Sequence, residues 1–169
     1  IEISTPRTYK ESIDLMRIGR AEVEANPDDI DLGGPFLGTL HFLGMLDRNQ
    51  LADSHSSAYQ HGLDAYQAMF AATPAFVWVS TSDNSRAAQL GAGASWLRLN
   101  LAATRDGLAL HPVSQMLQEY EEMRPLYGKV HNELEVAEPG RVQMLGRIGY
   151  GPATEPSPRW PLLSRLVPA

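Results

Sequence analysis

Ala94-Ser-Trp-Leu-Arg-Leu-Asn-Leu-Ala-Ala-Thr-Arg-Asp-Gly-Leu-Ala-Leu-His-Pro-Val-Ser-Gln115 is the stretch whose reading decides the fold. Up to Arg105 its apolar residues occupy nearly every side of a helix. Leu90, Ala94, Leu97 and Leu101 share one stripe, while Trp96, Leu99 and Ala103 lie on other faces. A helix apolar nearly all round is expected at the centre of a core. Asp106-Gly107 closes it, because glycine enters a left-handed cap at no steric cost. Leu108–Leu110 then reads as a short strand, and His111-Pro-Val-Ser-Gln115 as a polar loop. Upstream, Ser82-Asp-Asn-Ser85 offers N-caps for the same helix. Before it, Ala75-Phe-Val-Trp-Val-Ser80 is the clearest strand, and its unbroken apolar run predicts burial on both faces.

Further out the pattern is mostly helical. Met116 to about His131 reads as a helix that Pro125 kinks or divides, followed by a strand over Arg141–Tyr150 and an extended, proline-rich tail. On the other side, Ile1–Ser4 reads as a short strand and Thr8 to about Ala25 as a helix, stopped by Asn26-Pro27-Asp28-Asp29. Leu32–Pro35 is a turn, and helices are expected over Phe36–Leu46 and Ser54–Ala72. Helices outnumber strands, in an order that suits an α+β layer fold.

At 169 residues the chain has the length of one domain. A hydrophobic fraction of 43% against 20% charged supports a packed core. The net charge of −6 argues against general nucleic-acid binding, which needs a basic face to neutralise phosphates. No run is apolar for long enough to span a bilayer. With no cysteine there is no disulfide, thiolate nucleophile or cysteine zinc site. The five histidines show no metal-ligand spacing, there is no Gly-x-Ser-x-Gly elbow, and Gly91-Ala-Gly-Ala94 lacks the strand that a nucleotide loop requires. No catalytic side chain and no metal ligand is assigned.

Four segments, taken in order, resemble the C-terminal portion of a nitroreductase-superfamily flavoprotein of the Acg-like branch. They are the Leu99–Gln115 part of the opening stretch, Glu119-Tyr-Glu-Glu-Met123, Val142-Gln-Met-Leu-Gly-Arg-Ile-Gly-Tyr-Gly-Pro152, and Pro158-Arg-Trp-Pro-Leu162. The resemblance implies a helix-rich α+β fold with a mostly antiparallel sheet flanked by helices. It implies FMN as cofactor, reduced nicotinamide (NADH or NADPH) as electron source, a small electron acceptor, and a homodimer. The resemblance to this branch also carries a second reading, a flavin-binding protein without turnover that stores or sequesters FMN. A third reading is an inactive folding core. The superfamily's arginine-rich front segment, which helps hold the flavin phosphate, has no counterpart in these residues, so a fragment with an incomplete site is expected. The compartment, bacterial cytoplasm or periplasm by resemblance, stays open.

The resemblance places His111, Pro112, Val113, Ser114 and Gln115 along the isoalloxazine ring, where backbone N–H groups tune the flavin. Read from the residues alone, Ser114 is equally a cap for a helix at Met116. Arg159, held between Pro158 and Trp160-Pro161, is implied as a phosphate contact. Its other reading is a surface arginine in an extended tail. Arg98 and Arg147 lie in segments that read as buried and call for partners, with Asp106, Glu119 and Glu122 as candidates for an ion pair, or a ligand phosphate in their place. Glu119, Glu121 and Glu122 read as a solvated helix face, and His131 as a helix-end residue favoured by the dipole.

Overall fold

The computed structural model describes residues 3–27, 30–32, 34–152 and 158–166. Their contacts gather into two compact units. One is the described part of Met69–Ala153. The other is the described part of Ile3–Ala68 and Thr154–Ala169.

In the second of these, α1 (Pro6–Leu15) starts on a proline, whose ring presets the helical φ and whose missing N–H is not needed there. The chain then leaves the helix for β1 (Met16–Ile18), turns at Gly19 with φ 79°, and re-enters helix as α2 (Arg20–Ala25). The single helix expected from Thr8 to Ala25 is therefore three elements. Two causes act together. Gly19 adopts a backbone conformation that is cheap only without a Cβ, and β1 finds a parallel partner in β2 (Ile30–Leu32), with Met16 opposite Ile30. Ile3 and Ser4 lie in a turn, not in the short strand expected there, and Ile1 and Glu2 are outside the described residues.

α3 (Pro35–Phe42) ends early, at a turn through Gly44 with φ 68°. An unanticipated helix, α4 (Arg48–Ala52), begins at a capping box. The Asp47 carboxylate accepts from Gln50 N–H at 2.8 Å, and Asp47 N–H donates back to Gln50 Oε1 at 3.1 Å. α5 (Ser57–Ala71) follows close to its expected range. The core of this unit is Ile13, Ile18, Leu46 and Leu51, with Tyr9, Leu37 and Leu40 packed against it. Arg48 ties its elements together. Its guanidinium grips both Glu22 carboxylate oxygens, at 2.6 and 3.2 Å, and donates to the Met16 carbonyl at 2.7 Å.

The first unit is built on a three-stranded antiparallel sheet in the order β3-β5-β4. Its strands are β3 (Ala75–Thr81), β4 (Ala109–Pro112) and β5 (Arg141–Gly149). α6 (Arg86–Arg105) joins β3 to β4. Ser85 caps it by accepting from Ala88 N–H at 3.2 Å, and Gly107 closes it at φ 71°. Among the described residues, seven helices accompany this sheet and the β1–β2 pair, so the chain is α+β, as its element order implies.

Two burial expectations fail here for one reason. Phe76 and Trp78 on β3 stay 45% and 44% exposed, so the strand is not buried on both faces. α6 likewise is not a central core helix. Ala92 and Ala103 are buried, with Trp96 and Leu99 half-buried on the same stripe, while Leu90, Leu97 and Leu101 are 63%, 60% and 62% exposed. A three-stranded sheet carries α6 on one of its faces. That contact covers one stripe of the helix and leaves the outer face of β3, an edge strand, uncovered.

Downstream of β4 the chain makes 3-10 turns at Ser114–Leu117 and Glu121–Met123 before α7 (Arg124–Glu133). Pro125 neither kinks nor divides a longer helix. It sits in the first turn of a short one, where its missing N–H costs nothing. His131 is buried near the end of α7. Val142 N–H of β5 donates to its Nε2 at 3.0 Å, so Nε2 bears no proton and Nδ1–H donates to the Tyr127 carbonyl at 2.9 Å. The ring stacks on Tyr127 with centroids 4.2 Å apart. His131 is thus a neutral clamp between helix and sheet, not the imidazolium at a helix end that its position suggested.

Candidate functional site

Strand register decides which side chains share a face. His111 and Phe76 each lie directly opposite Arg147, on either side of β5, so the three form one row across the sheet. The next row is Leu110, Ile148 and Ala75, and the row before it pairs Gly146 with Val77 and Pro112. Gly146 faces α6. A Cβ built there would lie 2.6 Å from the Trp96 indole and 3.1 Å from the His111 carbonyl oxygen. Glycine at that point lets the helix settle onto the sheet. Alternation then puts Phe76, Arg147 and His111 on the opposite face, away from α6.

In that row Arg147 Nε–H donates to His111 Nδ1 at 3.0 Å, and its terminal nitrogen reaches the Met69 carbonyl at 3.4 Å. The acidic partners expected for Arg147 are not there: among the described residues no carboxylate pairs with it. Arg98, expected to be buried, is exposed on the outer side of α6. Because Nδ1 accepts, the neutral His111 ring carries its proton on Nε2. Loss of surrounding water and then the Arg147 charge both hold the imidazole below its ordinary pKa.

Immediately after β4, Val113 is buried and its N–H donates to the Leu145 carbonyl at 2.9 Å. This continues the ladder one residue past the strand and fixes where the Ser114–Leu117 turn begins. The leading N–H groups of such a turn have no partner inside it. Ser114 makes no capping bond and lies inside the turn, so the helix cap read from the residues alone is not formed. Pro112 and Gln115 are exposed and Ser114 half-buried.

His111 to Gln115 are thus held together by the first unit, with Arg147 added to them. Arg159 belongs to the other unit. It is exposed, and its guanidinium bonds to the carbonyl of its neighbour Pro158 at 3.3 Å. Trp160 beside it lies under the Arg165 guanidinium, 4.1 Å from the ring centroid. Residues 153–157 of the tail, expected to be extended, fall outside the described residues. Glu119, Glu121 and Glu122 are exposed, but around a 3-10 turn instead of a helix face.

No family model matches this chain, and no curated protein does. A solved structure is similar to it: a nitroreductase-like family protein from Bacillus cereus, 17% identical, with a TM-score of 0.46. The match covers 72% of this chain and 65% of that one, so the chain spans about two thirds of that protein's length. Among the described residues no helix is long and apolar enough to cross a membrane.

The pairing of His111 with Arg147 escaped sequence reasoning, since it requires the register of β4 on β5. A signal was available in Gly146, because a glycine inside a strand marks close approach of a neighbour.

Proposed function

We propose that this chain is the flavin-binding part of an FMN-dependent, nitroreductase-like oxidoreductase that passes electrons from NADH or NADPH to a small acceptor. The observation that carries the reading is the Arg147–His111 pair beside the anchored Val113–Gln115 turn. A cation without a carboxylate, an imidazole with a free N–H edge, and leading backbone N–H groups together suit an electron-rich planar ring. When bound, FMN supplies the hydride chemistry. The protein's own part is to bind, orient and tune. Val113 fixes the turn through Leu145, His111 offers Nε2–H, and Arg147 supplies positive charge that favours the reduced, anionic ring. Arg159 is assigned to the phosphate on sequence resemblance, as an exposed guanidinium that among the described residues bonds to one neighbouring carbonyl.

The test is FMN fluorescence quenching by the purified chain, followed by anaerobic addition of NADH and NADPH. Saturable quenching is expected, weakened about tenfold by Arg147→Met through loss of one charge-assisted contact. Absence of quenching at about 100 μM FMN, a loose limit for a resident cofactor, rejects the reading. Flavin that binds but stays oxidised with both nicotinamides selects the sequestering alternative.

The exposed stripe of Leu90, Leu97 and Leu101 supports a homodimer through α6, since contiguous apolar surface of this kind marks an interface. Light scattering is expected to give a dimer mass that Leu97→Lys with Leu101→Lys halves. A monomeric parent protein at high concentration refutes the homodimer.

A further inference from the structure

The unit that holds α1, α4 and most of α5 contains a cleft of about 550 Å³, a volume within the range of small-molecule sites. We propose that this cleft binds a small, uncharged aromatic molecule carrying a hydrogen-bond acceptor.

Three observations define that class. The first is aromatic. Tyr9 and Tyr59 meet edge-to-face in the cleft wall, with centroids 5.6 Å apart, and Ile13 lies beside them. A planar ring extends such an arrangement with its own edge or face contacts. The second is the charge balance. Lys10 pairs with Asp14, and Arg48 is engaged by both Glu22 oxygens and the Met16 carbonyl. The charges at the cleft are therefore answered from within the protein, which favours a ligand without one.

The third is an excess of unengaged polar groups. Tyr9, Asn49 and Ser54 line the cleft, the latter two exposed at its mouth, and among the described residues the side-chain polar groups of all three make no hydrogen bond with the protein. An apolar hollow with a few convergent polar groups is the usual form of a ligand site. Burial, then the neighbouring Tyr59 and Tyr66, raise the Tyr9 phenol above its ordinary pKa, so it remains an O–H donor at neutral pH. A donor of this kind asks for an acceptor such as a carbonyl.

The experiment is fluorine NMR of para-fluorobenzamide titrated with the whole chain. Saturable broadening is expected, with a dissociation constant of about 0.1–1 mM for so small a ligand. Fluorobenzene, which has the ring without the acceptor, should bind about tenfold more weakly, and Tyr9→Phe should weaken the amide by a similar factor. Ala52→Leu, at an exposed position on the cleft rim at the end of α4, should weaken binding several-fold by narrowing the mouth. Both variants are compared only at unfolding midpoints matching the parent. Equal binding of amide and fluorobenzene, or binding unchanged in both variants, overturns the proposal. So does displacement of the probe by FMN, which would move binding to the flavin site. Failure of the flavin reading leaves these outcomes unaffected.

Discussion

Replacing His131 with leucine removes the clamp between α7 and β5 while keeping a side chain of similar bulk. The buried Val142 N–H loses its acceptor, at a cost of about 1–3 kcal/mol for an unsatisfied donor. The stacked Tyr127 ring loses its partner, at about 0.5–1 kcal/mol more. Leucine returns part of this as apolar burial, so the net loss is expected to be about 2–3 kcal/mol. Because the chain has two contact units, a global unfolding midpoint can miss a local effect. Amide hydrogen exchange at Val142 reads the clamp directly. Protection there should fall by about 30-fold to 150-fold, which is that loss expressed as an opening constant. His131→Gln, with a carbonyl oxygen able to accept from Val142, should recover part of it. Protection that changes less than about threefold in His131→Leu would refute the reasoning, because it would mean the Val142 donor is satisfied without the imidazole.

The Glu22–Arg48 pair makes acid sensitivity predictable. Two Arg48 bonds and the Ile18 N–H hold the Glu22 carboxyl at about 2, against an ordinary value near 4.3. Its stabilisation is therefore complete above about pH 5 and lost as the pH falls through about 2. The shift alone corresponds to about 3 kcal/mol, reduced to about 1–2 kcal/mol because about a third of each side chain meets water. Urea midpoints at pH 7 and pH 3 should converge in Glu22→Gln and separate in the parent, and parallel pH profiles would count against the assignment. Gly146→Ala places a methyl against the Trp96 indole and the His111 carbonyl, so denaturation should show a loss of about 1–3 kcal/mol. An unchanged midpoint together with unchanged amide protection along β5 would mean α6 does not lie on the sheet at that glycine.

Local signals were the readable part of this fold. Ser85 and Gly107 cap α6 where their side chains, or the lack of one, make a cap cheap, and β3 and β5 fall within a residue of their sequence bounds. What stayed hidden depends on partners remote in sequence. Met16–Ile18 continues a helical spacing, and only Ile30–Leu32 turns it into a strand. Leu97 and Leu101 are apolar, but composition does not say whether anything lies against them. Pro125 reads in the sequence as a kink or break in a longer helix, and its actual place in the first turn of α7 rests on how Glu119 to Met123 fold before it. At the candidate site, a strand followed by a polar segment was legible, but His111 and Pro112, expected in the loop, belong to β4 itself, and only Ser114 and Gln115 lie in the turn that follows. Its geometry came from elsewhere, through Arg147 and Leu145 on a strand more than thirty residues later.

The order of the sheet, β3-β5-β4, has a consequence for how the chain comes to be folded. Its middle member is its last in sequence, and Val77 waits about 70 residues for Gly146. Until Arg141–Gly149 emerges, β3 and β4 have no ladder to join, and α6 has only two separated strands beneath it. Closing so long a loop costs entropy that no early contact returns. Assembly of this unit should therefore be slow and late, with His111, Arg147 and the Val113 turn arriving together. The site is made in the same step as the sheet.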